Sequence, residues 1–120
     1  MYFCDIHSLV IQVLTNKYIF IMSKFGDIVN SDIPVLIDFH ANWDEDSERE
    51  TTTILKLVAA ALGDKARVVK IDIDKNETLA MALRIKANPT YIIYKNSEMK
   101  WRQSGDQDAN TLIGLVEQYI

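Results

Sequence analysis

The chain has 120 residues, 48% hydrophobic and 25% charged, with a formal net charge of -4. That length buries roughly two-thirds of the surface its unfolded form exposes, enough for one domain that needs no disulfide or structural metal, and the composition is far from that of a disordered chain. The acidic balance and the lack of a Lys/Arg cluster exclude a nucleic-acid footprint, because such binding rests on neutralising phosphates.

The first stretch, "MYFCDIHSLVIQVLTNKYIFIM", is apolar but fits a signal peptide or a membrane span poorly, with a weak membrane anchor as the lesser reading. Asp5 precedes the apolar residues, Lys17 interrupts them, and no small-residue cleavage site follows. Asp5, His7, Gln12, Asn16 and Lys17 break the run of about 20 apolar residues that a span requires. Residues 1–21 read as an apolar N-terminal extension and 22–120 as the domain. The Ile/Tyr/Phe/Asn/Lys bias of the extension is also what AT-rich upstream DNA would encode, with Met22 as the natural start. Pairing of residues 9–14 beside the second strand would make the extension part of the fold. Cys4 is the only cysteine and His7 and His40 the only histidines, so no intrachain disulfide can form and no metal site is expected. Cys4 reads as an ordinary free thiol. A cytoplasmic location is expected.

From Ser23 the pattern is regular. "SKFGDIVNSD" carries Phe25, Ile28 and Val29 at helical spacing and ends in turn residues. "PVLIDFH", opened by Pro34, is a short apolar run rich in branched residues, which predicts a buried strand. After "NWDEDS", Ile54, Leu55, Val58, Ala61 and Leu62 recur with helical period and Gly63 follows, predicting an amphipathic helix over 46–62. A second strand is expected from Val68 to Ile73, then a short helix in "NETLAMALRI" with Asn76 as N-cap. "TYIIYK" after Pro89 is the third strand, joined by Asn96-Ser97 to "EMKWRQSG" as a β-hairpin, and "DANTLIGLVEQYI" is the closing helix. The order predicts parallel strands joined by crossover helices, an antiparallel hairpin at one side of the sheet, and helices on both faces. The fold class is α/β.

Four stretches in sequence, "VLIDF" before a Trp-bearing turn, "VVKIDIDKN", "NPTYIIYKN" and "WRQSG", make residues 23–120 resemble a thioredoxin. The resemblance implies a three-layer α/β/α sandwich with a central mixed sheet. In that family the turn reads Trp-Cys-Gly-Pro-Cys. It places Trp43 on the tryptophan, Asp44 on the attacking cysteine and Ser47 on the resolving one, so both sulfurs are missing. Asp38 falls on the family's buried carboxylate and Lys70 on its lysine neighbour, which implies a buried pair. Pro89 falls on the cis-proline of the groove along which an extended client lies. The groove here would be formed by Trp43, Asn88, Pro89 and Gly105. Asn88 departs from the apolar residue usual before the proline, and His40 from the usual aromatic.

Disulfide exchange needs a thiolate, and neither a carboxylate nor an unactivated serine can replace it. The acidic run "DEDSERE" therefore reads as a helix start, with Asp44 or Asp46 as N-cap and Glu45, Glu48 and Glu50 near the positive end of the macrodipole. A carboxylate acid/base site and a divalent-cation site are weaker readings of the same residues, which lack an enclosing pocket pattern and the EF-hand spacing. The resemblance, with its sulfurs gone, implies a non-catalytic protein-binding or scaffolding module whose partner is a protein or extended peptide, without a cofactor. The alternative is a thiol-disulfide oxidoreductase by descent, with residual or partner-supplied activity through Cys4. A third reading is a dimerisation module that uses the N-terminal stretch.

Overall fold

The structure is a computed structural model that describes residues 23–41 and 45–120, the side chain of Ser47 excepted. The expectations for residues 1–22, Trp43 and Asp44 lie outside the described residues. Residues 23–29 form a helix (α1), followed by β1 (Val35–His40), α2 (Glu45–Leu62), β2 (Arg67–Asp72), α3 (Glu77–Ala82), β3 (Thr90–Lys95), β4 (Glu98–Ser104) and α4 (Ala109–Glu117).

The sheet runs β2-β1-β3-β4, with β1 and β3 in its middle. This position explains their unbroken apolar runs: every residue of β1 is buried, and so is every residue of β3 except Lys95. Along β1, Val35, Ile37 and Phe39 pack with Phe25, Val29 and Leu79 on one face. Leu36 turns to the other face, where Val58 and Leu62 of α2 and Leu112 and Val116 of α4 join Tyr91 and Ile93. Burying one such side chain contributes about 1.5–3 kcal/mol, so both faces hold the sheet. The result is a three-layer α/β/α sandwich around a mixed sheet.

Strand direction departs from the sequence expectation at one place. β1 and β2 are parallel, but β3 is antiparallel to β1 as well as to β4. The reason is the length of α3. Its six residues rise about 9 Å, too little to carry the chain back along a strand, so the chain re-enters the sheet at the end where β2 left it. Element bounds differ by a residue: β2 starts at Arg67, and α2 starts at Glu45. Asn76 stands at the start of α3 but makes no side-chain cap. The Asp72 carboxylate already accepts from the Asp74 and Lys75 N–H groups at 2.8 and 3.2 Å, and this turn aims the Asn76 amide at the Asp72 carbonyl, 2.8 Å away.

The two-residue hairpin is sharper than its residue types suggest. Asn96 and Ser97 have φ of 52° and 65°, the left-handed pair that a type I′ turn demands. The Asn96 N–H donates to the Ser31 carbonyl at 2.7 Å and the Ser97 N–H to the Val29 carbonyl at 2.9 Å, so the turn is seated on the end of α1. Lys95 beside it donates to the Tyr119 carbonyl at 2.7 Å. At the C-terminal end of α3, Arg102 donates to the carbonyls of Leu83 and Arg84 at 2.7 and 2.8 Å.

Candidate functional site

β1 delivers Asp38 and His40 to the same face of the sheet, because strand side chains alternate. Asp38 is fully buried, and neither carboxylate oxygen has a hydrogen-bond partner among the described residues. Burial raises its pKa to about 7, an effect partly opposed by the Lys70 charge. Asp38 and Lys70 face each other in the parallel register. The Lys70 ammonium, however, is engaged on α2, 3.7 Å from Glu48 Oε1 and 3.4 Å from Thr52 Oγ1.

His40 ends β1 at 4% exposure, with both ring nitrogens lacking a partner among the described residues. Burial pushes its pKa below the ordinary imidazole value, and Lys70 adds to that, while Asp106 and Glu48 oppose it. The ring is therefore neutral near pH 7. Tyr91, opposite Asp38 in the register, has its phenol held well above its usual range, first by burial and then by the charges of Asp38, Asp106 and Glu50.

Beyond His40 the chain is fastened to the segment before β3. The Asn88 carboxamide accepts from the Ala41 N–H at 2.9 Å and donates to the Ala41 carbonyl at 3.2 Å. The next peptide bond, Asn88–Pro89, is cis, and the Pro89 carbonyl accepts from the Gly105 N–H at 2.9 Å. Gly105 takes a φ of +98°, which glycine adopts without strain. Thr90 steadies this corner by donating to the Ala87 carbonyl at 2.8 Å and sharing a hydrogen bond with the Ser104 hydroxyl at 3.1 Å. Three of the four residues expected in the groove, Asn88, Pro89 and Gly105, are thus brought together, whereas Trp43 lies outside the described residues. Among the described residues, the main-chain N–H and carbonyl of Asn88 itself make no hydrogen bond.

A cavity of about 430 Å³ opens next to this corner. His40, Pro89 and Tyr91 form part of its wall, Glu50, Thr51 and Ile54 of α2 another, and Asp106 and Asp108 stand on the segment after β4. No lysine or arginine lines it. Sequence reasoning assigns Glu50 to the helix start and gives Asp106 and Asp108 no role in the site. Their only signal is that acidic residues flank Gly105 on one side. Among the described residues, no group of three His, Cys, Asp or Glu side chains is placed to hold a metal ion.

The family model for thioredoxin matches residues 17–118. The chain is 41% identical over 96 residues to the chloroplastic thioredoxin Y of Oryza sativa subsp. japonica, covering 79% of this chain and 56% of that protein. It is 33% identical over 94 residues to a thioredoxin of Rickettsia bellii (strain RML369-C), covering 78% of this chain and 89% of that protein. Among solved structures, chloroplastic thioredoxin z superposes with a TM-score of 0.70 at 28% identity, over 82% of this chain and 88% of that one. This chain belongs to the thioredoxin family. It spans little more than half the length of the plant relatives it matches, and it has one cysteine. Among the described residues, no helix is long and apolar enough to cross a membrane.

Proposed function

We propose that this chain is a thioredoxin-family binding module without dithiol chemistry, which holds an extended protein segment along the groove at Asn88 and Pro89. One observation carries the reading: a family whose exchange reaction passes through two sulfurs is represented here by a chain with a single cysteine, Cys4. Asp44 and Ser47, aligned with the family's cysteine positions, offer no thiolate. The groove supports the binding half of the proposal. The open N–H and carbonyl of Asn88 can pair with an extended main chain, the way a strand is added to a sheet edge. Trp43 is the proposed aromatic contact of the groove. Asp38 and Lys70 remain as a structural remnant, since no thiol proton is left to move. The cytoplasmic location expected from the sequence belongs to this proposal as well, next to relatives named chloroplastic.

The test is insulin reduction driven by dithiothreitol. The unmodified chain and Cys4→Ser are expected at the rate of dithiothreitol alone. Turnover by the unmodified chain that disappears in Cys4→Ser would establish the oxidoreductase alternative instead. An Asp44→Cys, Ser47→Cys double variant is expected to gain turnover, because it restores the pair of sulfurs beside an intact groove.

A further inference from the structure

Asp38 and Lys70, which dithiol chemistry no longer needs, stand in an arrangement that the binding reading does not require. They are partners in the parallel register of β1 and β2, whose main chains lie about 4.8 Å apart. Both side chains point to the α2 face: Lys70 reaches Glu48 and Thr52, and Tyr91, opposite Asp38, packs with Leu55 and Val58. A four-carbon stem rooted one strand away is long enough to carry its ammonium to the Asp38 carboxyl group. The ammonium is elsewhere. Both Asp38 oxygens are buried without a hydrogen-bond partner among the described residues, while Lys70 Nζ lies 3.7 Å from Glu48 Oε1 and 3.4 Å from Thr52 Oγ1. That is the arrangement of a protonated Asp38, which has no charge to draw a cation, and its pKa of about 7 agrees with it. The other ionisable groups around Asp38 are neutral or anionic: His40 two residues along β1, Tyr91 opposite on β3, Asp72 on β2, Glu48 and Glu50 on α2, and Asp106 after β4. Among the described residues, Lys70 is therefore the cation that an ionised Asp38 would draw.

We propose that Lys70 is a proton-driven switch: while Asp38 is protonated its ammonium is held by Glu48 and Thr52 of α2, and when Asp38 ionises it moves to the Asp38 carboxylate and releases Glu48. The proton goes to solvent. The competition is unequal once the buried acid is charged, because Glu48 is half-exposed and an ion pair of that kind is weak in water, whereas a buried carboxylate without a partner is strongly unfavourable. Proton loss inside the sheet is thereby passed to the surface. The freed Glu48 adds a negative charge to the first turn of α2, beside Glu45 and Asp46. This inference goes beyond the binding reading and does not depend on it.

The test follows the side-chain carboxyl carbon shifts of the full chain from about pH 5.5 to about pH 8.5, a range that spans the Asp38 midpoint. The Glu48 carboxyl carbon is expected to step at the midpoint of Asp38. In Asp38→Asn, which keeps the shape of the protonated acid, that step is expected to vanish. In Lys70→Met, which keeps an unbranched stem, Asp38 is expected to ionise with a constant at least about 2-fold smaller, and Glu48 to show no step at the new midpoint. A Glu48 step that persists in Asp38→Asn would trace it to another group and overturn the switch. A step that still follows Asp38 in Lys70→Met would assign it to the field of Asp38 alone, and would overturn the switch as well. So would a Glu48 signal that stays flat through the whole range in the unmodified chain.

Discussion

Asn88 and Ala41 are joined by a reciprocal pair of hydrogen bonds, 2.9 Å from the Ala41 N–H to the Asn88 carboxamide oxygen and 3.2 Å from the Asn88 amide to the Ala41 carbonyl. Ala41 is 2% exposed, so its peptide groups have no ready access to water in exchange. Replacement of Asn88 by Ala leaves both groups unpaired and is expected to cost about 2–6 kcal/mol, twice the penalty of one unsatisfied buried group. Urea unfolding checks it. Asn88→Asp keeps the acceptor and turns the donor into a second oxygen facing the Ala41 carbonyl, so it is expected to destabilise as well.

Asp38 ties stability to pH. Its carboxyl titrates near 7 in the folded chain against an ordinary value of 3.8, so between those values the folded state holds a proton that the unfolded state has lost. The favourable contribution is complete below about pH 4, shrinks as pH rises, and is lost above about 7. Asp38→Asn should remove this dependence and unfold at higher urea than the unmodified chain at pH 8, by an amount on the order of a few kcal/mol. At pH 4 the two should nearly coincide. A wild-type stability that climbs between pH 4 and 7 more steeply than the variant's would contradict the assignment.

Ser97 carries a side chain at φ 65°, where glycine is at ease. Ser97→Gly converts the turn to Asn-Gly, the pair best suited to two left-handed residues. We expect a gain of up to about 1 kcal/mol, since the left-handed conformation costs a residue with a Cβ roughly 1–2 kcal/mol and the greater unfolded-state freedom of glycine offsets part of that. A thermal melt that shifts upward by a few degrees is the readout.

Arg102 closes the C-terminal end of α3 with two charge-assisted hydrogen bonds to carbonyls. Arg102→Ala is expected to cost about 1.5–3 kcal/mol, and faster hydrogen exchange in residues 79–85 should accompany the loss. Arg102→Lys retains one donor head without the fork and should recover only part of it.

The parts of the fold that were legible in the sequence are those set by local pattern. β1 and β3 are buried apolar runs opened by Pro34 and Pro89, and α2 shows its buried stripe through Leu55, Val58 and Leu62. The direction of β3 was not legible, because it depends on how far a six-residue α3 can carry the chain. Nor was the Asn76 amide's turn toward Asp72, where two hydrogen-bonding residues compete within one turn. At the site, the identities of Asn88 and His40 as departures from the family pattern were plain. What each does was not. Asn88 reaches a partner 47 residues away, and the burial of His40 depends on how the sheet and the following helices enclose the end of β1. Glu50 and Asp106 read as solvated charges, since sequence carries no signal for which exposed carboxylates share a cavity wall.

The fastening of residues 95–97 has a mechanical consequence. Lys95 at the end of β3 and the two turn residues after it donate to the carbonyls of Tyr119, just past α4, of Ser31, just past α1, and of Val29, the last residue of α1. The Pro89 corner sits at the other end of the same six-residue strand, roughly 17 Å away at the usual rise per residue. β3 is thus a rod anchored at one tip, with the proposed groove at the other. A pull on a segment held at Asn88 would be passed along its length to that anchored tip, and the first described helix and the last would resist it together.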